Sequence, residues 1–189
     1  MNTRRRPHAA QAVALAAVLT AVVAMPASAD NSVIQTINAG TLSASIADLT
    51  LGAVDYSHSA QSSTGTMVLT ADDSSGSGAG WNVTVVGSDF VYSGAMAGTD
   101  IPAANFSLTS ASEPASTAGD PVDPSGGPKV PSSFSPPATL DLAHEVLEAE
   151  LTFGEGTYTQ NLGVNLDIPA QSDVGTYTGT MTVTIGSGP

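Results

Sequence analysis

The sequence predicts an all-β protein: a single antiparallel β-sandwich with Greek-key-like connections and one long Pro-rich inserted loop. Three observations support this prediction. Apolar and polar residues alternate along several short runs rich in Thr and Val, Gly and Pro separate those runs, and helical periodicity is almost absent. Many short strands punctuated in this way are typical of a sandwich or a barrel.

The N-terminus has the pattern of a secretory signal peptide. Three arginines at positions 4–6 precede an uncharged, Ala- and Val-rich run at 9–24, and the small residues Ala27-Ser28-Ala29 follow. We therefore expect a signal peptide over residues 1–29, cleaved after Ala29. The apolar run has 16 residues, fewer than the roughly 20 that a membrane-spanning helix requires, so we expect no membrane span after cleavage.

The predicted mature chain, residues 30–189, is strongly acidic. It carries one cation, Lys129, against 17 Asp and Glu, which gives a formal net charge of −16 with His neutral. Nucleic acids and anionic lipids are excluded as partners because one lysine cannot form a basic patch. The chain has no cysteine, so packing and sheet hydrogen bonds must stabilise it. Neutral glycans, apolar surfaces, divalent cations and other proteins remain as partners.

The expected strands follow from the alternating runs. They are 33–37, 42–46, 64–70, 81–86, 105–108, 158–166 and 176–185. Residues 71–80, rich in Ser and Gly, predict the long tip of a hairpin that joins the third and fourth of these strands. Residues 140–151 fit one amphipathic helical face but lack a strong stop signal, so a short helix and a strand remain equally open.

Residues 110–138 hold seven of the twelve prolines, with Ser, Gly and Asp between them. Proline removes backbone donors, so this segment predicts an extended loop that lies outside the sandwich. We expect one domain over 30–189 with this loop inserted, because neither flank alone has enough apolar strands to bury two sheet faces.

No catalytic or metal-binding constellation is evident, and we expect neither enzymatic activity nor a cofactor. The mature chain has only His58 and His144, no Cys, and no nucleophile elbow or phosphate loop. His144, Glu145 and Glu148 would share one face of a helix, but a solvated charged face is the favoured interpretation. Asp72-Asp73 offers oxygens for calcium without the rest of an EF-hand loop, so a solvated turn is favoured there too.

Trp81 is the sole tryptophan and follows Gly78-Ala79-Gly80. Two interpretations are open. A sandwich commonly buries one indole in its core. Alternatively, the indole is a platform on which the apolar C–H face of a sugar ring stacks, joined by Tyr177 and Tyr92.

Several motifs together resemble the WxL-domain family of bacterial surface proteins. The run 73–85, which contains Trp81-Asn82-Val83, and the later stretch 101–106 resemble the first half of that domain. The segments 168–170, 175–177 and 180–185 resemble its closing strand. The resemblance covers most of the mature chain, with the Pro-rich segment outside it.

The resemblance implies a secreted protein of the cell surface that attaches noncovalently to the cell wall. It implies a WxL-like β-sandwich over 30–189, peptidoglycan or another neutral glycan as ligand, and other surface proteins as possible neighbours. The family uses two tryptophan motifs. Here the first is Trp81-Asn82-Val83, and Val183 stands at the place of tryptophan in the second. We expect a ligand-binding groove that includes Trp81, Val83 and Tyr177.

Two other functions remain open. Thr-rich strands with few lysines lack one common guard against edge-to-edge pairing, so a self-assembling subunit of a surface layer, coat or fibre is the alternative. A secreted hydrolase with no identifiable catalytic residues is the weakest hypothesis.

Overall fold

The computed structural model describes residues 33–189, so the predicted signal peptide and its cleavage site lie outside the described residues. Residues 33–36 belong to a unit that ends at Thr36, and the second unit, Ile37–Pro189, contains every described strand. Within residues 33–189 there is no helix long and apolar enough to cross a membrane.

The predicted all-β class and antiparallel arrangement are confirmed. In chain order the strands are β1 Leu42–Ile46, β2 Gln61–Asp73, β3 Trp81–Gly87, β4 Val91–Ser93, β5 Phe106–Ala111, β6 Ala115–Gly119, β7 Ala138–Thr139, β8 His144–Ala149, β9 Gly156–Ile168, β10 Thr176–Thr178 and β11 Met181–Ser187. A single 3₁₀ turn, Ala103–Asn105, precedes β5.

The strands form two main sheets and a small ribbon. The larger sheet has the order β1-β2-β9-β5-β7, and β6 also pairs with β9 beyond the end of β5. The smaller sheet has the order β11-β3-β8, and β4 pairs with β10 in a separate two-stranded ribbon. All of these pairs are antiparallel.

The core lies between the inner faces of the two sheets. β2 and β9 alternate between buried and exposed side chains, as the pleat requires. The large, fully buried side chains come from both sheets and include Leu69, Leu108, Tyr158 and Leu162 from the larger sheet and Trp81, Val83, Val85 and Leu147 from the smaller one. Face-to-face burial of this kind defines a β-sandwich.

The predicted hairpin over residues 71–80 is wrong. β2 pairs with β1 and β9 in the larger sheet, whereas β3 pairs with β8 and β11 in the smaller one. Residues 74–80 therefore cross from one sheet to the other. The segment is long enough to span the ~10 Å between stacked sheets, and the crossing lets both strands turn their apolar faces towards one core.

The strand expected at 33–37 is wrong, and the open choice between helix and strand at 140–151 is decided for a strand. Residues 33–37 form no strand, and residues 140–151 contain a strand, β8, with no helix. Leu147 and Ala149 of β8 have no exposed surface and belong to the core. The apolar spacing at 140–151 resembles a helix because β8 contains a bulge, at which Val146 and Leu147 are both buried.

The Pro-rich segment is closer to the sandwich than its composition predicts. Its proline-free part forms β6, which extends the pairing along β9. Lys129 exchanges backbone hydrogen bonds with Glu148, at 2.9 and 3.0 Å, and so covers part of the outer edge of β8. Its ammonium group lies 2.6 Å from Glu150 and 3.9 Å from Glu148, and these carboxylates raise its pKa. The lone lysine thus ties the segment to the smaller sheet.

The burial of Tyr158 predicts that the protein loses stability at alkaline pH. Its ring is buried in the core and its hydroxyl donates to the carbonyl of Asp120 at 3.0 Å. Burial first, and then nearby carboxylates led by Asp120, raise its pKa to about 12 from 10.0. Because the pKa of Tyr158 is higher in the folded protein than in the unfolded chain, its neutral hydroxyl contributes fully to the stability of the fold below pH 10. This contribution is lost as pH rises from 10 towards 12.

We therefore expect the urea midpoint of the protein to fall between pH 10 and 12, and the fall to be shallower in Tyr158→Phe. Parallel slopes in the two proteins across this range would contradict the assignment.

Candidate functional site

An open cleft of about 1030 Å³ lies at one end of the sandwich. Its floor is the end of the inner face of the larger sheet, where β2 and β9 run beyond the shorter strands. One wall is the irregular segment 47–57 and the other is the segment 172–181, which contains β10. We call this the end cleft. Its apolar lining is Ile46, Leu49, Leu51, Met67, Phe90, Ile101, Phe106, Leu166, Ile168 and Met181.

The wall segment 47–57 follows β1 and lies over the inner face of β2. Gly65 of β2 makes room for it, since a Cβ there would lie 2.6 Å from a methyl group of Leu49 and 3.1 Å from one of Leu51. Ser63, on the same face, donates to the carbonyl of Gly52 at 3.0 Å. These contacts hold the wall in place through its side chains and one carbonyl.

The backbone of this wall keeps most of its hydrogen-bonding capacity free. The N–H groups from Asp48 to Tyr56 have no hydrogen-bond partner among the residues that the structure describes. The backbone hydrogen bonds to β2 end at Ala47, whose N–H donates to the carbonyl of Val68. The next backbone hydrogen bond along this segment is at Ser57, whose carbonyl accepts from the N–H of Gln171. Free donors beside an open cleft are available to a ligand or to water.

The opposite wall carries an aromatic pair. Tyr177 of β10 and Tyr92 of β4 lie directly opposite each other, with ring centroids 5.3 Å apart and a tilt of 59°. Glycines surround Tyr92: a Cβ at Gly98 would lie 2.7 Å from its ring and one at Gly175 2.5 Å. The Tyr92 hydroxyl donates to Val174 at 3.0 Å. The ribbon therefore holds Tyr177 firmly at the edge of the cleft.

Tyr177 stays a hydrogen-bond donor across the neutral range. Its hydroxyl donates to the carbonyl of Asp173 at 2.9 Å. Burial raises its pKa, and the carboxylate of Asp173 adds to the effect. The phenol is therefore uncharged, and the residue is partly buried.

The end cleft carries negative charge and no positive charge among its described lining residues. Asp48, Asp55 and Asp173 line it, and Lys and Arg do not. Tyr56 also lines the cleft, is 55% exposed, and packs edge-on against His58 with ring centroids 5.4 Å apart. The three carboxylates disfavour an anionic ligand, whereas a neutral polar ligand finds hydroxyls, amide groups and aromatic surface.

The structure does not place Trp81 or Val83 in this cleft. Both have no exposed surface, and neither lines the cleft. The indole packs at 6.1 Å from the ring of Tyr158 and its N–H donates to Gly154 at 3.0 Å. The expected stacking platform on Trp81 is therefore corrected, because a ring with no exposed face cannot stack on a sugar. Of the three expected groove residues, Tyr177 alone lies in the cleft.

The glycine before Trp81 allows the end of β8 in the same chain to approach closely. A Cβ at Gly80 would lie 2.5 Å from the carbonyl oxygen of Ala149, and the residue has φ +69. Gly154 likewise contacts the indole, where a Cβ would lie 2.8 Å from Nε1. Small residues beside Trp81 thus serve the packing of β8 and the turn after it.

A sequence model of the WxL family, described as WxL domain surface cell wall-binding, matches residues 31–189. The chain belongs to the WxL-domain family. The family that the short motifs indicate is thus confirmed. The match also includes the Pro-rich segment, which the motifs had left outside the resemblance. Comparison with curated proteins and with solved structures finds no significant match.

As a WxL-domain protein, the chain is a surface protein that binds the cell wall. The family match does not depend on a second tryptophan. In this WxL domain Val183 lies on β11 opposite Val85 and packs, partly buried, against the core. Both motif positions therefore belong to the smaller sheet, and their side chains face the inside of the sandwich.

The candidate metal ligands are not assembled. Within the described residues no group of three His, Asp, Glu or Cys side chains is placed to hold an ion. Asp72 accepts a hydrogen bond from Thr157 at 2.6 Å, and Asp73 accepts one from the N–H of Ser75 at 2.9 Å. These two carboxylates are used in the sheet and in the turn that follows it.

Sequence reasoning missed the wall segment 47–57 and with it Tyr56. The signal was present but weak: Leu49, Leu51 and Val54 lie in a short uncharged run, residues 49–54, that Gly52 interrupts. Their role depends on the overhang of β2 and β9, which no local pattern encodes.

Proposed function

We propose that the end cleft binds peptidoglycan noncovalently and without catalysis. The observation that carries the proposal is the row of N–H groups from Asp48 to Tyr56 that have no partner among the described residues, beside aromatic side chains at an acidic cleft. Glycan strands of peptidoglycan present hydroxyl and N-acetyl groups together with apolar C–H faces. Unpaired amide N–H groups suit the first, and Tyr56 and Tyr177 suit the second.

The volume and charge of the cleft support the same ligand class. About 1030 Å³ is at the upper end of the range for ligand pockets and the cleft is open, as a polymer requires. Family membership supports a cell-wall component as the ligand. The lining contains no His, Cys or Lys, so it offers no nucleophile activated by one of these groups. We propose no catalytic role for Asp48, Asp55 and Asp173.

Sedimentation with purified peptidoglycan tests the proposal. We expect the exported protein to cosediment with it and Tyr56→Ala to bind on the order of tenfold more weakly, because an exposed aromatic anchor typically contributes more than 1 kcal/mol. Tyr177→Ala should weaken binding similarly. Leu142→Ala is the matched control, since Leu142 is 64% exposed and lies outside the cleft lining.

Unchanged cosedimentation of both tyrosine variants, with folds intact by circular dichroism, would place the ligand elsewhere. Release of soluble sugar fragments during incubation would overturn the non-catalytic part of the proposal.

A further inference from the structure

Two strand edges lie open next to each other on the sandwich. Among the described strands, β11 pairs only with β3 and β1 pairs only with β2, so each has one unpaired edge. β1 and β11 belong to different sheets and pack against each other at the same border of the molecule. We call the gap between their unpaired edges the seam.

Hydrogen-bond directions show which groups face the seam. Ser88 donates to the carbonyl of Thr180, and Gly188 donates to that of Gly80, both at 2.9 Å. In an antiparallel ladder such bonds recur at every second residue. Even-numbered residues of β11 therefore bond to β3, and the backbone groups of Met181, Val183 and Ile185 point to the seam.

The edge of β1 follows the same logic. Ala47 donates to Val68 and Thr41 accepts from Ser74, both at 2.9 Å. Odd-numbered residues of this strand therefore bond to β2, and the even-numbered ones present their backbone groups to the seam. The apolar side chains on the two edges are only partly buried: Leu42, Ala44, Ile46, Met181, Val183 and Ile185.

A segment suited to such an edge precedes β1. Residues 33–38 carry Val33, Ile34 and Ile37, which are 96%, 84% and 91% exposed, and none of these residues belongs to a strand. β-Branched residues favour strands. At about 3.3 Å per residue, six residues extend about 20 Å, close to the length of the seven-residue β11.

We propose that residues 33–38 of one copy of this protein pair with the β11 edge of a second copy, so that the chain self-associates by strand addition. The added strand supplies partners for the outward backbone groups of β11 and covers the apolar side chains of the seam. Recognition by main-chain hydrogen bonds with alternate side chains in an apolar gap is an established mode of strand addition.

The geometry of the chain favours a second copy over the same copy. Gly40 donates to Ser74 and Thr41 accepts from Ser74, so the pairing of β1 with β2 already includes both residues. Only Ala39 then remains between this ladder and the segment, whereas a tight reversal needs at least two loop residues. The connection is therefore too short for residues 33–38 to turn back along β1, so we assign them to a neighbouring copy.

Charge distribution also favours pairing between copies. The protein carries 17 Asp and Glu, yet residues 31–47 and 174–189 contain no charged residue. Two acidic copies repel each other through the rest of their surfaces, while the proposed contact brings together two uncharged stretches. Salt that screens the repulsion should therefore strengthen the association.

Sedimentation velocity of the exported protein tests the proposal. We expect the mean mass to rise with protein concentration and with salt. Ile34→Lys/Ile37→Lys removes the donor segment, and Val183→Pro removes an N–H that faces the seam without breaking the ladder to β3. Each variant alone should associate at least tenfold more weakly than the wild type.

Mixing the two variants is the decisive step. The Val183→Pro copy keeps an intact segment 33–38, and the Ile34→Lys/Ile37→Lys copy keeps an intact β11 edge. One of each should therefore form a heterodimer, which cannot grow further because its remaining segment and its remaining edge are both altered. A synthetic peptide of residues 31–39 in excess should dissociate wild-type assemblies. Ser132→Lys, in the exposed Pro-rich segment, is the control for added charge.

A wild type that stays monomeric at all concentrations and salts overturns the proposal, as does association that both variants retain. Peptidoglycan cosedimentation of the monomeric variants separates this result from the proposed function, because the end cleft contains neither residues 33–38 nor Val183.

Discussion

Trp81→Ala is expected to lower the free energy of unfolding by about 3–5 kcal/mol, the usual cost of replacing a buried aromatic side chain with alanine. The indole has no exposed surface and packs against Tyr158. The substitution opens a cavity between the sheets and leaves the carbonyl of Gly154 without the N–H that it accepts. Urea denaturation followed by circular dichroism measures the loss, since the variant has no tryptophan fluorescence.

A binding measurement on Trp81→Ala distinguishes a role of Trp81 in the core from a role in ligand contact. At a temperature where the variant remains folded, cosedimentation with peptidoglycan should equal that of the wild type, because Trp81 does not line the end cleft. Trp81→Phe restores part of the volume without the N–H donor and should fall between the two in stability. A stable Trp81→Ala protein that no longer binds peptidoglycan would support the interpretation of Trp81 as a stacking platform for a sugar ring.

Gln160→Leu is expected to destabilise the protein by about 2–4 kcal/mol although leucine is apolar and the site is buried. The side-chain amide of Gln160 donates to the carbonyls of Ser112 and Val146, at 2.9 and 3.0 Å. Val146 lies at the bulge of β8, so Gln160 supplies a partner where the regular ladder is interrupted. Leucine leaves both carbonyls without this donor, and each unpaired buried group costs about 1–3 kcal/mol.

The neighbouring Asn161 provides the control for Gln160. It lies on β9 with its side chain exposed, so Asn161→Ala should change the urea midpoint little. A Gln160→Leu protein as stable as the wild type would mean that the two carbonyls find other donors or water. The oxygen of the Gln160 amide has no hydrogen-bond partner among the described residues. Leucine removes this unpaired buried oxygen, which offsets part of the loss from the two donated bonds.

Much of the fold follows from local pattern. The strand expected at 42–46 is β1, the one expected at 158–166 lies within β9, and the one expected at 105–108 overlaps β5. Apart from Gln160, each has apolar side chains at every second position, a spacing that is typical of a strand with one buried face. The family motifs around Trp81 were equally local, and they were sufficient to predict family membership.

The local sequence pattern could not predict which strands pair with each other. The interpretation of residues 71–80 as a hairpin tip was wrong because a Gly- and Ser-rich connection fits a hairpin and a crossover between sheets equally well. The two cases differ in which faces meet, and that depends on all the strands together. The candidate site was affected in the same way, because Tyr56 acquires its position only from the overhang of β2 and β9.

The sequence by itself determined the class, the acidic character of the chain, and the family. These depend on composition and on spacing along the chain. The tertiary structure alone decided that Trp81 faces the core, that Tyr56 and Tyr177 lie on opposite walls of one cleft, and that β1 and β11 present open edges side by side. The physical reason is that burial and open hydrogen-bonding groups are properties of the packed sheets, in which residues distant along the chain share one surface.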